Sequence, residues 1–219
     1  ADFVQKAEEN RADEINTCIA CNQACLDHVF KQKTASCLVN PRACHETELN
    51  YTPAQTKKKL AVVGAGPAGL AFATVAAQRG HEVHQFNMAK RIPGKEEFYE
   101  TLRYFERQIE IQDVHLHLNT RVEADDLTSQ GFDEVALATG VAPRQIQLEG
   151  IDHPKVLSYV DVLLHNQEVG QRVAIIGAGG IGFDVSEFLI HPPSDTPQPV
   201  EAFMEEWGVD TTYQNPGAL

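Results

Sequence analysis

Leu60-Ala61-Val62-Val63 is an unbroken apolar run that ends at Gly64-Ala65-Gly66-Pro67-Ala68-Gly69, and an alanine-rich stretch then runs to Arg79. A short apolar run closed by glycine predicts a buried strand, and the stretch after it predicts a helix stopped by Gly80 at its C-cap. Glu82 to Phe86 follows as a short strand. From Pro93 to Glu110 the polar and apolar residues alternate with helical period, so Phe98, Leu102, Phe105 and Ile109 are expected to face a core. Val114 to Leu118 alternates with the period of a strand, and Phe132 to Ala138 reads as a buried strand. After a connector carrying a helix near Tyr159 to His165, the first pattern returns. Arg172 to Ile176 reads as a strand, Gly177-Ala178-Gly179-Gly180-Ile181-Gly182 as a second loop, and Phe183 to Ile190 as its helix. The fold class is therefore α/β, with two strand–loop–helix units in tandem.

The two ends are less regular. Residues 1–16 read as a short helix, Asp2 to Glu9, and a charged turn; residues 17–56 are irregular, with turns at Asn40-Pro41 and Thr52-Pro53. Beyond Ile190 the chain is proline-rich, with a short helix expected around Glu201 to Trp207. Both ends read as cut, so the chain is expected to be a piece of a larger protein. The boundaries read as 1–56, 57–169 and 170–219.

Composition narrows the partners. The formal net charge is -13 over 219 residues, a surface that repels nucleic acid and anionic membranes, so neither is an expected partner. No apolar run approaches the ~20 residues of a membrane span. The opening ADFVQKAEEN has no signal-peptide core, and without export the five cysteines stay reduced. A cytoplasmic location follows as the expectation.

Four of those cysteines, Cys18, Cys21, Cys25 and Cys37, stand in the spacing C-x2-C-x3-C-x11-C. Three thiolates on a tight loop, joined by a fourth from a later turn, suit an iron–sulfur cluster, which moves electrons one at a time. Zinc also accepts four thiolates, but its sites more often pair two C-x2-C knuckles, and this chain has one. Reduced structural cysteines are the third reading. Cys44 is not needed by the spacing and reads as a buried free thiol, with His45 as a hydrogen-bonding neighbour.

The glycine loops point to dinucleotides. In each, the first glycine permits the tight turn, the second lets a pyrophosphate approach the backbone, and the third lets helix pack on strand. The helix N-terminus then faces the phosphate charge. The alternative is a tight turn with no ligand. An acidic residue about 20 positions on usually meets the ribose. After the first loop only Glu82 is available, at the wrong end of its strand.

Taken together, INTCIACNQACLDHVF, SCLVNPRACHE, KKKLAVVGAGPAGLAFA, IPGKEEFYETLRYFERQIE, GIDHPKVLSYVDVL and VAIIGAGGIGFDVSEFL closely resemble the bacterial NADPH-dependent 2,4-dienoyl-CoA reductases. These are iron–sulfur flavoproteins grouped with trimethylamine dehydrogenase and old yellow enzyme. The resemblance implies a TIM barrel with FMN and the substrate site ahead of this chain, then a 4Fe-4S segment, an FAD domain and an NADPH domain inserted into it. It implies 4Fe-4S ligation by Cys18, Cys21, Cys25 and Cys37. It implies FAD pyrophosphate binding by Gly64, Ala65, Gly66, Pro67, Ala68 and Gly69, with Gln85, Thr139 and Gly140 as further FAD residues and Val122 on a strand touching the adenine. It implies NADP(H) at Gly177, Gly179, Gly180 and Gly182. The activity implied is NADPH-dependent reduction of an unsaturated acyl-CoA, with electrons passing from NADPH through FAD and 4Fe-4S to FMN.

The chain departs from the family pattern. The barrel is absent, and with it FMN and any catalytic residue. The rest of the NADPH domain and the returning FAD segment are absent as well. Between His84 and Gln85 the family usually carries an acidic residue and a Gly-Gly pair, and neither is present. The rival readings are another member of the family, such as an amine dehydrogenase or an enoate reductase, and a stand-alone electron-transfer module working with a separate barrel protein. A fragment with no independent function is the third.

Overall fold

Lys59–Val63 forms β1, Glu82–Asn87 β2, His115–Leu118 β3 and Glu134–Leu137 β4. All pair parallel, in the order β3-β2-β1-β4. The computed structural model describes residues 2–87, 97–144, 146–190 and 199–212. They fall into two compact units, the first drawn from 1–91 and 97–147 and the second mainly from 148–219.

Both faces of β1 are covered, which is why its apolar run is continuous. Leu60 and Val62 pack with Val83 of β2, with Val114, and with Ala73 and Ala76 of α3, Pro67–Gln78. Ile109 of α4, Glu97–Ile111, joins this layer. On the opposite face Ala61 packs with Leu127 of α5, Ala124–Ser129. The small side chains of α3 let the helix lie close on the sheet. Its end follows expectation: Gly80 has φ +95, its N–H donates to Ala77 O at 2.8 Å, and the His81 N–H donates to Ala76 O at 3.2 Å.

Ahead of the sheet lie α1, Phe3–Glu8, a 3-10 turn over Ala12–Glu14, and α2, Leu26–Phe30. Arg103 of α4 anchors this segment. Its guanidinium donates to Asp13 O at 2.7 Å and to Ile15 O at 2.9 Å. Arg107 pairs with Asp13 at 2.8 Å.

The second unit holds α6, Tyr159–Leu163, α7, Gly180–Ile190, and α8, Val200–Glu206. Ser158 caps α6, its Oγ accepting from the Asp161 N–H at 3.2 Å. Val162 and Val185 are buried where α6 and α7 pack.

Four expectations need correction. Residues 172–176 form no strand, because a strand needs a ladder partner and none lies beside them among the described residues; Val173, Ile175 and Ile176 stay exposed. β4 is not fully buried: it lies at the sheet edge, with Leu137 76% exposed. On α4, Phe105 and Ile109 face the core as expected, but Thr101 is buried while Leu102 is 57% exposed. Val122 is not on a strand; it lies in the connection before α5, packed beside Ala61 and Leu127. The Phe98 side chain, residues 93–96, most of the proline-rich stretch (191–198) and residues 213–219 lie outside the described residues.

Candidate dinucleotide site

The chain leaves β1 for α3 on one side of the sheet, while β2 and β3 lie to one flank and β4 to the other. The strand order therefore reverses between β1 and β4. In open α/β sheets ligands bind at such a point, outside the carboxyl ends of the strands. Gly64 follows the carboxyl end of β1, and Ala138-Thr139-Gly140 follows that of β4. The Ala138 N–H donates to Val63 O at 2.8 Å, extending the ladder by one step.

The glycines meet different demands. Gly64 has φ +112, and a Cβ there would lie 2.1 Å from Ala138 O. A Cβ on Gly69 would lie 2.0 Å from Gly64 O and 3.2 Å from Gln85 Nε2. A Cβ on Gly66 would meet nothing within 4 Å. The first and third glycines thus close the loop onto the protein, and the second opens toward the crevice. Ala65 is half-buried; Gly66, Pro67 and Ala68 are exposed at the start of α3. This cradle, facing a helix N-terminus, fits a pyrophosphate. Gly140, at φ +74, stands in open space beyond the crevice.

Gln85 is placed otherwise than its implied role. Its side chain is fully buried on β2, under the loop, and its Nε2 donates to Gly64 O at 3.1 Å. Its Oε1 has no hydrogen-bond partner among the described residues. A polar residue inside a strand gave no sequence signal for this contact.

The second loop repeats the geometry. Gly177 has φ +118, and a Cβ on Gly182 would lie 2.3 Å from Gly177 O. Gly179 and Gly180 open to free space at the start of α7.

In the cysteine segment Cys18 is exposed, while Cys21, Cys25 and Cys37 are half-buried, all as free thiols. The Ser36 N–H donates to Ala24 O at 2.7 Å, which ties the chain next to Cys37 to the chain next to Cys25. The Ala20 N–H donates to Cys18 Sγ at 3.3 Å, and Ala20 and Asn22 flank Cys21 with φ +53 and +54. The donor chemistry suits a thiolate-bound cluster. Among the described residues, however, no three His, Cys, Asp or Glu side chains stand together so as to hold a metal ion. Cys44, expected buried, is exposed at φ +62. His45 Nδ1 lies 3.2 Å from Glu48 Oε2.

Residues 59–140 match the sequence pattern of the pyridine nucleotide-disulphide oxidoreductase family. They are a pyridine nucleotide-disulphide oxidoreductase domain. That domain contains β1 to β4 and both walls of the crevice, and it implies binding of dinucleotides of the FAD and NAD(P) type. Over 84% of its length the chain is 36% identical to a metal reductase of Desulforamulus reducens, and over 86% it is 33% identical to a cinnamate reductase of Clostridium sporogenes. A solved 2-naphthoyl-CoA reductase superposes on 84% of the chain with a TM-score of 0.79 at 36% identity. The chain spans 30% of the length of each of these three proteins. All three bear the names of reductases. None of the described helices is long and apolar enough to cross a membrane.

Proposed function

We propose that this chain is the electron-transfer part of an NADPH-dependent reductase that saturates a conjugated acyl-CoA of the 2,4-dienoyl class. The observation that carries the reading is the crevice between β1 and β4, with its closed Gly64 and Gly69, its open Gly66 and α3 behind them. Gly64 to Gly69 would hold the FAD pyrophosphate, with Thr139 and Gly140 beyond it. Gly177, Gly179, Gly180 and Gly182 would hold NADP(H). Cys18, Cys21, Cys25 and Cys37 would hold a 4Fe-4S cluster, the segment closing on it as it loads, since thiolate sites rarely stand preformed. When bound, these groups supply hydride transfer from NADPH to FAD and single-electron passage toward FMN in a separate barrel.

The chain's own residues do the holding. The loop N–H groups and the start of α3 face phosphate charge. Ala138 covers Gly64 and keeps the loop closed. Arg103 fixes residues 13–17, the approach to Cys18, on α4. The substrate class rests on two likenesses, to a cinnamate reductase and to a 2-naphthoyl-CoA reductase, both named for substrates with unsaturation conjugated to a carboxyl or thioester. Acyl-CoA, FMN and a barrel partner belong to this reading.

The test is anaerobic loading of the 219-residue chain with iron, sulfide and FAD, followed by absorption and EPR spectra before and after dithionite. A bound flavin and a reducible cluster are expected, and Cys25→Ser should abolish the cluster signal while leaving the flavin. A chain that takes up neither would overturn the reading. The unloaded chain should show no dienoyl-CoA reduction.

A further inference from the structure

We infer that Gln85 is a positioning residue for the first dinucleotide site, acting from inside the core through the Gly64 carbonyl. This rests on the crevice being a dinucleotide site and says how its loop is held. Gln85 touches no surface, so it meets no ligand directly. What it does touch is Gly64 O, from Nε2 at 3.1 Å.

That carbonyl decides what the loop offers. In a planar trans peptide the C=O of one residue and the N–H of the next point in opposite directions. With Gly64 O drawn down to Gln85, the Ala65 N–H points up, toward the crevice, where an N–H is wanted for phosphate. If the peptide turned over, a carbonyl dipole would face the phosphate instead. Gly64 has no Cβ and sits at φ +112, so its own backbone resists that turn weakly. Gly69 closes on the same oxygen, a Cβ there lying 2.0 Å away. Gly69 thus leaves that oxygen room, and Gln85 supplies its only side-chain hydrogen bond among the described residues.

The placement is costly for the core. Gln85 lies beside Val62 and Val83 in the strand register, yet its Oε1 is buried without a partner among the described residues. A methionine would fill the space with no unpaired atom on the side chain, at the loss of the Gly64 bond. Loop positioning and core stability thus pull in opposite directions, and the two can be separated.

The experiment measures FAD affinity and the thermal midpoint of the 219-residue chain for wild type, Gln85→Met and Gln85→Glu. In Gln85→Met the dissociation constant for FAD should rise roughly tenfold, while the midpoint moves by no more than about 2 °C. Gln85→Glu adds a signature that a purely structural residue would not produce. Ionised, its carboxylate opposes Gly64 O; protonated, its O–H donates to it. Burial raises a carboxyl pKa, so FAD affinity should be weak near about pH 8 and recover toward wild type near about pH 6. Unchanged affinity in Gln85→Met, or a loss that merely follows its midpoint, would overturn the inference. So would a Gln85→Glu chain with no recovery at lower pH, which also decides the matter if the methionine variant fails to fold. If wild type itself binds no FAD, the dinucleotide reading falls too.

Discussion

The Gly64 and Gly177 loops are nearly the same object in different surroundings. Their first glycines have φ +112 and +118. In each, a Cβ on the third glycine would strike the carbonyl of the first, at 2.0 and 2.3 Å. Each opens a helix. Around Gly64, however, stand a parallel sheet, the Ala138 carbonyl above and Gln85 below. Around Gly177 a Cβ would meet nothing within 4 Å, and residues 172–176 pair with no strand among the described residues. The turn is thus a local property of the glycine pattern. The platform under it is not local, since strand ladders and roofs come from distant segments.

The comparison breaks most directly at the first glycine. Gly64→Ala combines left-handed strain with a backbone clash against Ala138 O, and should cost on the order of 3 kcal/mol or more. Gly177→Ala carries the strain without the clash, so about 1 kcal/mol is expected. Thermal unfolding followed by circular dichroism should show the difference. The single tryptophan, Trp207, reports on the second unit by fluorescence. Equal costs at the two positions would mean that Ala138 does not roof Gly64.

A smaller contrast lies in the strands that feed the loops. Val62 is fully buried in β1, whereas Ile175 is 39% exposed. Val62→Ala should destabilise the first unit by about 2 kcal/mol. Ile175→Ala should stay below about 1 kcal/mol, near the usual range for surface changes. Hydrogen exchange adds detail: amides of 60–63 should be protected and those of 173–176 should exchange freely.

Much of this was legible in the residues, wherever the cause was local. The Gly80 stop, the α3 small-residue face and both loops follow from neighbours a few positions apart. What escaped depends on contacts far along the chain. Thr101 rather than Leu102 is buried on α4, which packs against α3, and helical period alone does not choose between the two. The family resemblance puts Val122 on a strand, yet it lies in a connection and packs beside Ala61 and Leu127. The family resemblance makes Gln85 an FAD residue. Pairing of β2 with β1 in the register Val62 to Gln85 carries it under Gly64 instead. The cysteine spacing was plain, but spacing alone does not bring thiols to one point, and the described side chains are not gathered there.

The smallest effect also separates the two units, through the histidines of the first sheet. His84 stacks on His115 at 4.6 Å and on His117 at 5.4 Å. Its Nδ1 lies 3.1 Å from His117 Nε2, and its Nε2 lies 3.0 Å from Glu82 Oε1. Lys59 Nζ is 3.9 Å from the same carboxylate. Burial, and then the nearby charges of His84 and His115, hold His117 below the ordinary 6.5. The hydrogen bond from His84 outweighs burial and holds the Glu82 carboxyl below 4.5, with Lys59 assisting. For both groups the unfolded chain binds protons more readily than the folded one, so acid favours unfolding. The His117 contribution is complete above 6.5 and is lost as pH falls below it, down through the lower folded value. The Glu82 contribution is lost in the same direction, beginning below 4.5. The midpoint of the first unit should therefore fall with pH in two steps. His117→Gln should flatten the upper step and leave the lower one in place. Circular dichroism melts across that range, with Trp207 fluorescence followed in parallel, would check this; an upper step that persists in His117→Gln would move its origin away from the β2–β3 face.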